Sequence, residues 1–201
     1  MFTGIIEETG KIKSITSQAK GTTLEVATTL VILETKIGDS IAVNGCCLTV
    51  VKINDTSLHF DIVEETMLKT NFKYLQVDNS VNLERAIKMH DRLGGHLVQG
   101  HIDGIGYIEN IESLEDGSMW VTIQAPDFIL RYLILKGSIT IEGVSLTIAK
   151  LTPTTFSFAM IPYTAKITAL GDKRIHDPIN IEVDMMAKYI ERLLTPIILK
   201  R

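Results

Sequence analysis

The alternation of apolar and polar residues predicts a chain built mostly of short β-strands. Apolar positions alternate with polar ones over residues 81–84 and again over residues 179–183, which is the period-two pattern of a strand with one buried face. Turn-forming pairs such as Asn54-Asp55, Asp116-Gly117 and Gly171-Asp172 separate such segments. Short antiparallel strands favour a small closed Greek-key barrel, because closure leaves no exposed sheet edge.

The last segment of the chain has a different period. Its apolar residues recur at helical spacing, at Met186, Ile190, Leu193 and Leu194. We expect this amphipathic helix to end at Thr195, because Pro196 disfavours helical geometry in the residue before it. Such a helix either covers its own barrel or pairs with copies of itself in an oligomer.

The chain also contains an internal duplication. Residues 40–50 align without a gap with residues 138–148, at an offset of 98. Near the start of each half the offset becomes 100, with residues 3–5 over residues 103–105, which implies a loop that differs in length by two residues. Chance similarity between two β-rich segments does not easily keep glycine, threonine and asparagine in register over this distance. The sequence therefore predicts an all-β fold of tandem six-stranded Greek-key barrels, at residues 1–97 and 98–184, with a C-terminal helix and tail at 185–201.

Composition excludes several classes of function. The 201 residues carry a net charge of −4 with no basic run, so the electrostatic attraction on which nucleic-acid-binding proteins depend is missing. The apolar stretches are far shorter than the ~20 residues that span a bilayer, and the N-terminus does not have the pattern of a secretion signal. We therefore expect a cytoplasmic protein with no nucleic-acid or membrane partner. Cys46 and Cys47 are adjacent, so a disulfide between them would be strained and free thiols are expected.

Potentially reactive residues gather in three places. The duplicated motif has Cys47 in the first copy where the second has Ser145, although each could be an ordinary buried small residue. The junction of the copies places His96 and His101 among glycines, a composition that suits close approach to a ligand and acid–base chemistry. The third place is the extreme N-terminus around Phe2. No metal site is predicted, because the cysteines and histidines lack the spacing of zinc ligands.

Seven motifs occur in one order along nearly the whole chain. They are residues 1–7 (MFTGIIE), 44–50 (NGCCLTV), 65–66 with 70–71, 81–86 (VNLERA), 94–101, 136–139 (KGSI) and 143–147 (GVSLT). In this combination they closely resemble the riboflavin synthase family, of the two-barrel, alpha-chain type. The resemblance implies that two molecules of 6,7-dimethyl-8-ribityllumazine react, one donating a four-carbon unit to the other. The products would be riboflavin and 5-amino-6-(ribitylamino)pyrimidinedione in the final step of riboflavin biosynthesis, with no metal or redox cofactor.

The resemblance also implies an assembly. The productive site would lie between the first barrel of one subunit and the second barrel of its neighbour in a homotrimer, with the C-terminal helix contributing to the trimer contacts. Association with lumazine synthase is a further partnership that the resemblance suggests. The duplication fits this reaction, because one compound serves as both donor and acceptor and needs two similar pockets. Holding both molecules in one site makes the encounter effectively intramolecular, which supplies a large share of catalysis.

The resemblance implies two sets of lumazine-binding residues. The first barrel's positions are Gly4, Ile5, Ile6, Cys47, Leu48, Thr49, Asp61, Ile62, Val63, Glu64, Glu65 and Thr66. The second barrel's positions are Gly100, His101, Ile102, Lys136, Ser145, Leu146, Thr147, Met160, Ile161, Pro162, Tyr163 and Thr164. Backbone groups and threonine hydroxyls at these positions would recognise the pteridine edge.

Six residues are candidates for the chemistry on the same resemblance. Cys47 and Ser145 resemble groups that add to the electron-poor ring or activate a nucleophile. His101 resembles a proton-transfer residue, His96 and Asp184 resemble supporting groups, and Phe2 resembles a residue that packs over the ring. The alternative is that these positions serve only for binding and that orientation supplies most of the rate.

A second class of protein shares this duplicated fold. Lumazine- or flavin-carrying optical proteins are non-catalytic, and fold alone does not determine function. Such relatives typically keep one functional pocket and lose the reactive positions, whereas Cys47, His96, His101 and Ser145 are all present in this chain. A purely structural β-protein would have no use for the glycine- and histidine-rich junction. The reactive set therefore favours an enzyme.

Overall fold

The computed structural model describes residues 1–18 and 21–198, and its strands form two antiparallel sheets. The first sheet contains β1 (Glu8–Gln18), β2 (Gly21–Ala27), β3 (Ser40–Val43), β4 (Cys46–Asn54), β5 (Ser57–Ile62) and β6 (Ser80–Arg85). The second sheet contains β7 (Gly104–Ser113), β8 (Met119–Gln124), β9 (Ser138–Ile141), β10 (Val144–Thr147), β11 (Lys150–Leu151), β12 (Thr155–Met160) and β13 (Pro178–Val183). The helices are α1 (Glu64–Lys69), α2 (Asp127–Leu130), α3 (Pro162–Ile167) and α4 (Met185–Ile198), with 3₁₀ turns at Asn71–Tyr74 and Ala169–Asp172.

The first sheet closes into the predicted six-stranded barrel, in the order β1-β2-β5-β4-β3-β6. The second sheet has seven strands, in the order β10-β9-β13-β7-β8-β12-β11. Its two end strands, β10 and β11, correspond to the two parts of β4, and only Ile148 and Ala149 lie between them. β4 has a β-bulge between Val50 and Lys52, at the place where the second copy divides the strand. The predicted fold class, two tandem β-barrels followed by a helix, is confirmed.

The strand register corrects the predicted alignment at the start of the two copies. Gly10 pairs with Val81 in the first barrel, and Gly106 pairs with Ile179 in the second. Because Val81 and Ile179 are equivalent at the offset of 98, the offset at the first strand of each copy is 96 and not 100. The second copy is therefore two residues longer between its first and third strands. The few residues shared by the starts of the two copies suggested the wrong offset. The hydrogen-bonded pairing of the strands is compatible with only one register.

Each barrel encloses its own apolar core, but the residues that precede each first strand pack against the other barrel. Phe60 is fully buried in the first core and Phe158 is almost fully buried in the second. Ile6, which precedes β1, belongs to the core of the second barrel. Ile102, which precedes β7, packs against the core of the first barrel. The segments at residues 2–6 and 98–102, named here the N-terminal and junction segments, therefore cross between the two barrels.

Two hairpin turns form part of the contact between the barrels. Asn44-Gly45 and Glu142-Gly143 all have positive φ, as two-residue hairpin turns of type I′ require. A Cβ atom on Gly143 would lie 2.8 Å from the Gly45 nitrogen, so glycine permits the two backbones to meet. Asn82 Nδ2 donates a 2.8 Å hydrogen bond to the Glu142 carbonyl oxygen of the other barrel. Such buried paired polar groups hold the two copies in one orientation.

The C-terminal helix α4 rests on the second barrel through polar contacts. Lys188 Nζ lies 2.7 Å from Asp103 Oδ1, and Glu191 accepts a hydrogen bond from the Tyr132 hydroxyl. The exposed large apolar side chains on α4 include Met186, Tyr189, Ile190, Leu193 and Leu194. The helix thus leaves an apolar face in solvent. Within residues 1–18 and 21–198, the structure contains no helix with the length and hydropathy to cross a membrane.

The end of α4 differs from the prediction that Thr195 would be its last residue. The helix continues through Pro196 to Ile198. Proline lacks a backbone N–H and therefore cannot complete one intrahelical bond, but its fixed φ is compatible with a helix. Near this position the Thr195 hydroxyl donates a 2.7 Å hydrogen bond to the Glu191 carbonyl oxygen. Proline therefore weakens this last part of the helix without ending it.

Candidate functional site

Cys47 lies at the centre of a candidate half-site, which is the group of residues around it on the first barrel. It is the second residue of β4, and its amide donates a 2.8 Å hydrogen bond to the carbonyl oxygen of Gly100 in the junction segment. Gly100 has φ +83°, and a Cβ atom there would lie 2.6 Å from Cys47 Cβ and 3.0 Å from the Phe2 ring. Only glycine allows this close approach without strain. The fully buried Phe2 ring packs beside Cys47, Ala42 and Val98.

The buried carboxylate of Glu182 holds the junction segment in place. Its two oxygens accept hydrogen bonds from the backbone nitrogens of Gln99, Gly100 and His101, at 2.7, 2.9 and 3.0 Å. Burial raises the pKa of Glu182 to about 7, although these three hydrogen bonds and the nearby Lys188 ammonium act in the opposite direction. One side chain thus determines the path of three consecutive residues next to Cys47.

Ser145 lies at the centre of an equivalent candidate half-site on the second barrel. Its amide donates a 2.8 Å hydrogen bond to the carbonyl oxygen of Gly4. Gly4 has φ +77°, and a Cβ atom there would lie 2.6 Å from Ser145 Cβ. Glu84 accepts hydrogen bonds from the Thr3 amide, the Thr3 hydroxyl and the Gly4 amide, and burial raises its pKa. The frame around Ser145 therefore repeats the frame around Cys47.

This geometry corrects the predicted grouping of the binding residues. Sequence reasoning placed Gly4, Ile5 and Ile6 with the first barrel, and Gly100, His101 and Ile102 with the second. The hydrogen bonds of the crossing segments place Gly4 beside Ser145 and Gly100 beside Cys47. The physical reason is that each segment crosses to the other barrel. A residue that precedes one barrel in the sequence therefore lies beside the other barrel in space.

His96 distinguishes the second half-site from the first. Its Nδ1 atom lies 2.7 Å from Ser145 Oγ, and its Nε2 atom lies 3.1 Å from Thr140 Oγ1. Burial lowers the pKa of His96, while the negative charge of Asp184 acts in the opposite direction. Burial thus favours the neutral imidazole over the charged one. Asp184 also accepts a 2.9 Å hydrogen bond from the Met186 amide at the start of α4.

The other predicted site residues lie around the two centres in different ways. His101 and Lys136 are exposed, as are Thr49 and Thr147. Residues 61–66 run from the end of β5 into α1, and residues 160–164 run from the end of β12 into α3. β5 is the hydrogen-bonded neighbour of β4, and it follows that residues 61–66 begin one strand away from Cys47. The residues described contain no cluster of three or more His, Cys, Asp or Glu side chains that could hold a metal ion.

Comparison with known proteins shows to which family this chain belongs. A sequence profile described as the lumazine binding domain matches this chain twice, at residues 3–86 and 99–184. Riboflavin synthase of Photobacterium phosphoreum is 46% identical over 96% of this chain and 89% of its own length. Riboflavin synthase of Actinobacillus pleuropneumoniae is 43% identical over 96% of this chain and 90% of its own length. The chain belongs to the riboflavin synthase family.

Solved structures with the same fold include the protein LumP. LumP complexed with 6,7-dimethyl-8-(1'-D-ribityl) lumazine superposes with a TM-score of 0.82 at 29% identity, covering 91% of this chain and 99% of LumP. LumP complexed with riboflavin gives a TM-score of 0.85 at 29% identity, covering 92% and 100%. This member of the riboflavin synthase family therefore shares its double-barrel fold with a protein seen bound to a lumazine and to a flavin.

The two cysteines of this family member differ in accessibility. Both are free thiols, as predicted. Burial raises the pKa of Cys46 to about 12, which keeps this thiol protonated and unreactive. Cys47 is half-buried beside the junction segment. Of the pair, Cys47 is the thiol that a bound molecule could reach.

Sequence reasoning missed Glu84, Glu182 and Thr140. The two glutamates were visible in the alternating strand pattern and in the repeat register, where they are equivalent. Their recurrence at apolar-flanked strand positions could have indicated buried carboxylates with a shared task. No sequence signal indicated Thr140, because its contact with His96 joins residues 44 positions apart.

Proposed function

We propose that this chain is a riboflavin synthase that converts two molecules of 6,7-dimethyl-8-ribityllumazine into riboflavin and 5-amino-6-(ribitylamino)pyrimidinedione. The observation that carries this proposal is the pair of half-sites with one backbone frame and two different reactive groups. In one, the Cys47 amide donates a hydrogen bond to the carbonyl oxygen of Gly100, and in the other the Ser145 amide donates to that of Gly4. Both glycines have positive φ. Two equivalent frames suit a reaction that takes the same compound twice.

The difference between the half-sites supports unequal roles for the two bound molecules. Cys47 lies against the apolar group of Phe2, Ala42 and Val98, whereas Ser145 contacts the His96 imidazole. A dismutation needs one molecule to give four carbons and the other to receive them, so identical pockets would not distinguish donor from acceptor. Orientation of the two rings would supply much of the rate, and the polar groups would assist proton transfers.

The corrected grouping supports a division of the predicted binding residues into two sets. We propose that Cys47, Leu48 and Thr49, residues 61–66 and residues 100–102 surround one lumazine. Ser145, Leu146 and Thr147, residues 160–164, Lys136 and residues 4–6 surround the other. In this arrangement the exposed imidazole of His101 belongs with the Cys47 pocket and is available for proton transfer.

A homotrimer would complete the site. The proposal places the first barrel of one subunit, residues 1–97, against the second barrel of the next, residues 98–184, and uses residues 185–201 for assembly. The exposed apolar face of α4, with Leu193 69% accessible, supports this use. Sedimentation equilibrium should give three times the chain mass, and a monomer at micromolar concentration would contradict it. Binding of lumazine synthase is a separate prediction that co-sedimentation tests.

The experiment is to incubate the purified protein with 6,7-dimethyl-8-ribityllumazine alone and follow riboflavin formation by absorbance. We expect riboflavin to accumulate at half the rate at which the lumazine is consumed, because two molecules give one product. A sample without protein measures any uncatalysed reaction. Lumazine consumption without riboflavin, or no consumption, would refute the proposal.

A carrier of lumazine or flavin is the second candidate, and the similarity to LumP favours it. The identity to LumP is 29%, against 46% and 43% for two riboflavin synthases. The same incubation separates the two functions. Stable binding of the chromophore without turnover would support the carrier.

A further inference from the structure

The β9–β10 hairpin of the second barrel presents two hydroxyl groups to one imidazole. Thr140 and Ser145 are directly opposite each other in this antiparallel pair, and opposite residues project from the same face of a sheet. Their hydroxyl oxygens contact the two nitrogens of His96, Ser145 at 2.7 Å and Thr140 at 3.1 Å. The three side chains therefore form a continuous line of hydrogen bonds.

The first barrel has no such line at the equivalent place. There the opposite pair is Ala42 and Cys47, and Ala42 packs against Phe2 and Val98. Thr140 occupies the position that alanine occupies in the other copy. Its hydroxyl is thus a specific feature of the half-site that contains His96.

Burial decides the direction of these hydrogen bonds. Thr140 has no accessible surface, and within residues 1–18 and 21–198 its hydroxyl has His96 Nε2 as its hydrogen-bond partner. Burying an O–H group without an acceptor costs free energy, whereas leaving a lone pair on the same oxygen without a donor costs less. Donation from Thr140 to Nε2 is therefore favoured. A neutral imidazole that accepts at Nε2 carries its hydrogen on Nδ1.

We propose that Thr140 is a positioning residue that holds His96 in the Nδ1–H tautomer, so that Ser145 becomes a hydrogen-bond donor toward the bound molecule. The Nδ1–H group then donates to Ser145 Oγ, and this leaves the Ser145 hydroxyl hydrogen free to point into the pocket. The line of donation runs from Thr140 to His96, then to Ser145, then to an acceptor atom of the ligand. In this arrangement Ser145 stabilises negative charge on the substrate and does not serve as a nucleophile.

The charged groups around His96 are compatible with this neutral tautomer. Asp184 is the carboxylate whose charge acts on His96, and its effect is smaller than that of burial. The buried carboxylate of Glu84, on the same candidate half-site, is engaged by Thr3 and Gly4 of the N-terminal segment. The donating role of Ser145 toward substrate rests on the proposed function, whereas the tautomer of His96 does not.

Long-range ¹H–¹⁵N correlation spectra of the histidine rings test the proposal in the wild-type protein. We expect His96 to show a protonated Nδ1 and an unprotonated Nε2 at neutral pH, and a His96→Gln variant assigns its signals among the five histidines. Thr140→Val should shift the tautomer ratio toward Nε2–H by about two- to tenfold, the value of one hydrogen bond. Thr140→Ser should preserve the wild-type spectrum.

Turnover provides the second readout. Thr140→Val should lower the rate of riboflavin formation by a similar factor, about two- to tenfold, and Thr140→Ser should restore it. The control Thr122→Val removes a threonine hydroxyl that contacts Ser157 in the same barrel, and should leave the His96 spectrum unchanged. An Nε2–H tautomer in the wild type, or a Thr140→Val variant with an unchanged spectrum, would overturn the proposal. Because the spectra need no turnover, a protein that forms no riboflavin would refute the proposed function and leave the tautomer result standing.

Discussion

Replacement of Glu182 by glutamine tests whether burial controls the carboxylate that holds the junction segment. The side chain is 2% accessible and accepts hydrogen bonds from the amides of Gln99, Gly100 and His101. Burial disfavours its charged form, and the three N–H groups favour it. The pKa of about 7, raised from 4.5, means that the cost of burial is the larger effect.

This pKa determines the sign and the size of the pH dependence. Because the folded protein holds the Glu182 proton more tightly than the unfolded chain, the contribution to stability is fully present below pH 4.5 and is lost as the pH rises to about 7. A change from 4.5 to about 7 corresponds to about 3 kcal/mol in the free energy of unfolding. Glutamine cannot titrate, so the stability of the variant should not decrease with pH through this position.

The assay is urea unfolding of the wild type and Glu182→Gln at pH 5 and pH 8, monitored by fluorescence of the single tryptophan. The advantage of the wild type over the variant should decrease by about 2 to 3 kcal/mol between these conditions. Taking the difference between the two proteins cancels the titration of Glu84 and Glu142, whose pKa values burial also raises. Glu65→Gln, at an exposed carboxylate paired with Lys69, is the control and should show nearly the same difference at both pH values.

A wild-type advantage that stays constant or grows with pH would refute the reasoning. It would mean that the three backbone hydrogen bonds outweigh burial and that Glu182 is ionised throughout this range. The control separates this outcome from a general effect of net charge.

Three further predictions concern the site and the core. Cys47→Ser should reduce the initial rate of riboflavin formation more than Ser145→Ala, and equal, negligible effects would show that neither residue acts covalently. Gly4→Ala should lower the free energy of unfolding by about 2 kcal/mol or more, because positive φ and a 2.6 Å contact both oppose a side chain. The control Gly38→Ala also has positive φ but open space around it, and should cost about 1 kcal/mol. Equal losses in urea unfolding would contradict the close approach at Gly4. Phe60→Ala, at a fully buried ring, should cost about 3 to 5 kcal/mol by the same method, and a loss below about 1 kcal/mol would contradict its place in the core.

Local patterns in the sequence were sufficient for the elements and the duplication. Period-two alternation depends on residues within one strand, and the repeat depends on comparison of the chain with itself, so neither needs a tertiary contact. The tandem barrels and the family resemblance follow from such information. The same information gave Cys47 and Ser145 as equivalent positions, because they occupy one register at an offset of 98.

Other features required the tertiary structure. Nothing local shows that Gly4 packs on the second barrel and Gly100 on the first, because the two segments cross. The alignment at the start of the copies was wrong for a related reason, since only strand pairing distinguishes an offset of 96 from one of 100. Local rules also placed the end of α4 three residues early, at Thr195 in place of Ile198.

By itself the sequence determined two β-rich copies, a terminal helix and the membership of a family, because these depend on neighbours along the chain. The tertiary structure alone decided which segment lies beside Cys47 and which beside Ser145, which carboxylates are buried, and which hydroxyl contacts His96. Glu84 contacts Thr3 and Glu182 contacts Gly100 across 81 and 82 residues. Contacts at such separations form only when the barrels close and exclude water. This closure buries the two strand glutamates, and their carboxylates then bind the backbone beside Ser145 and Cys47.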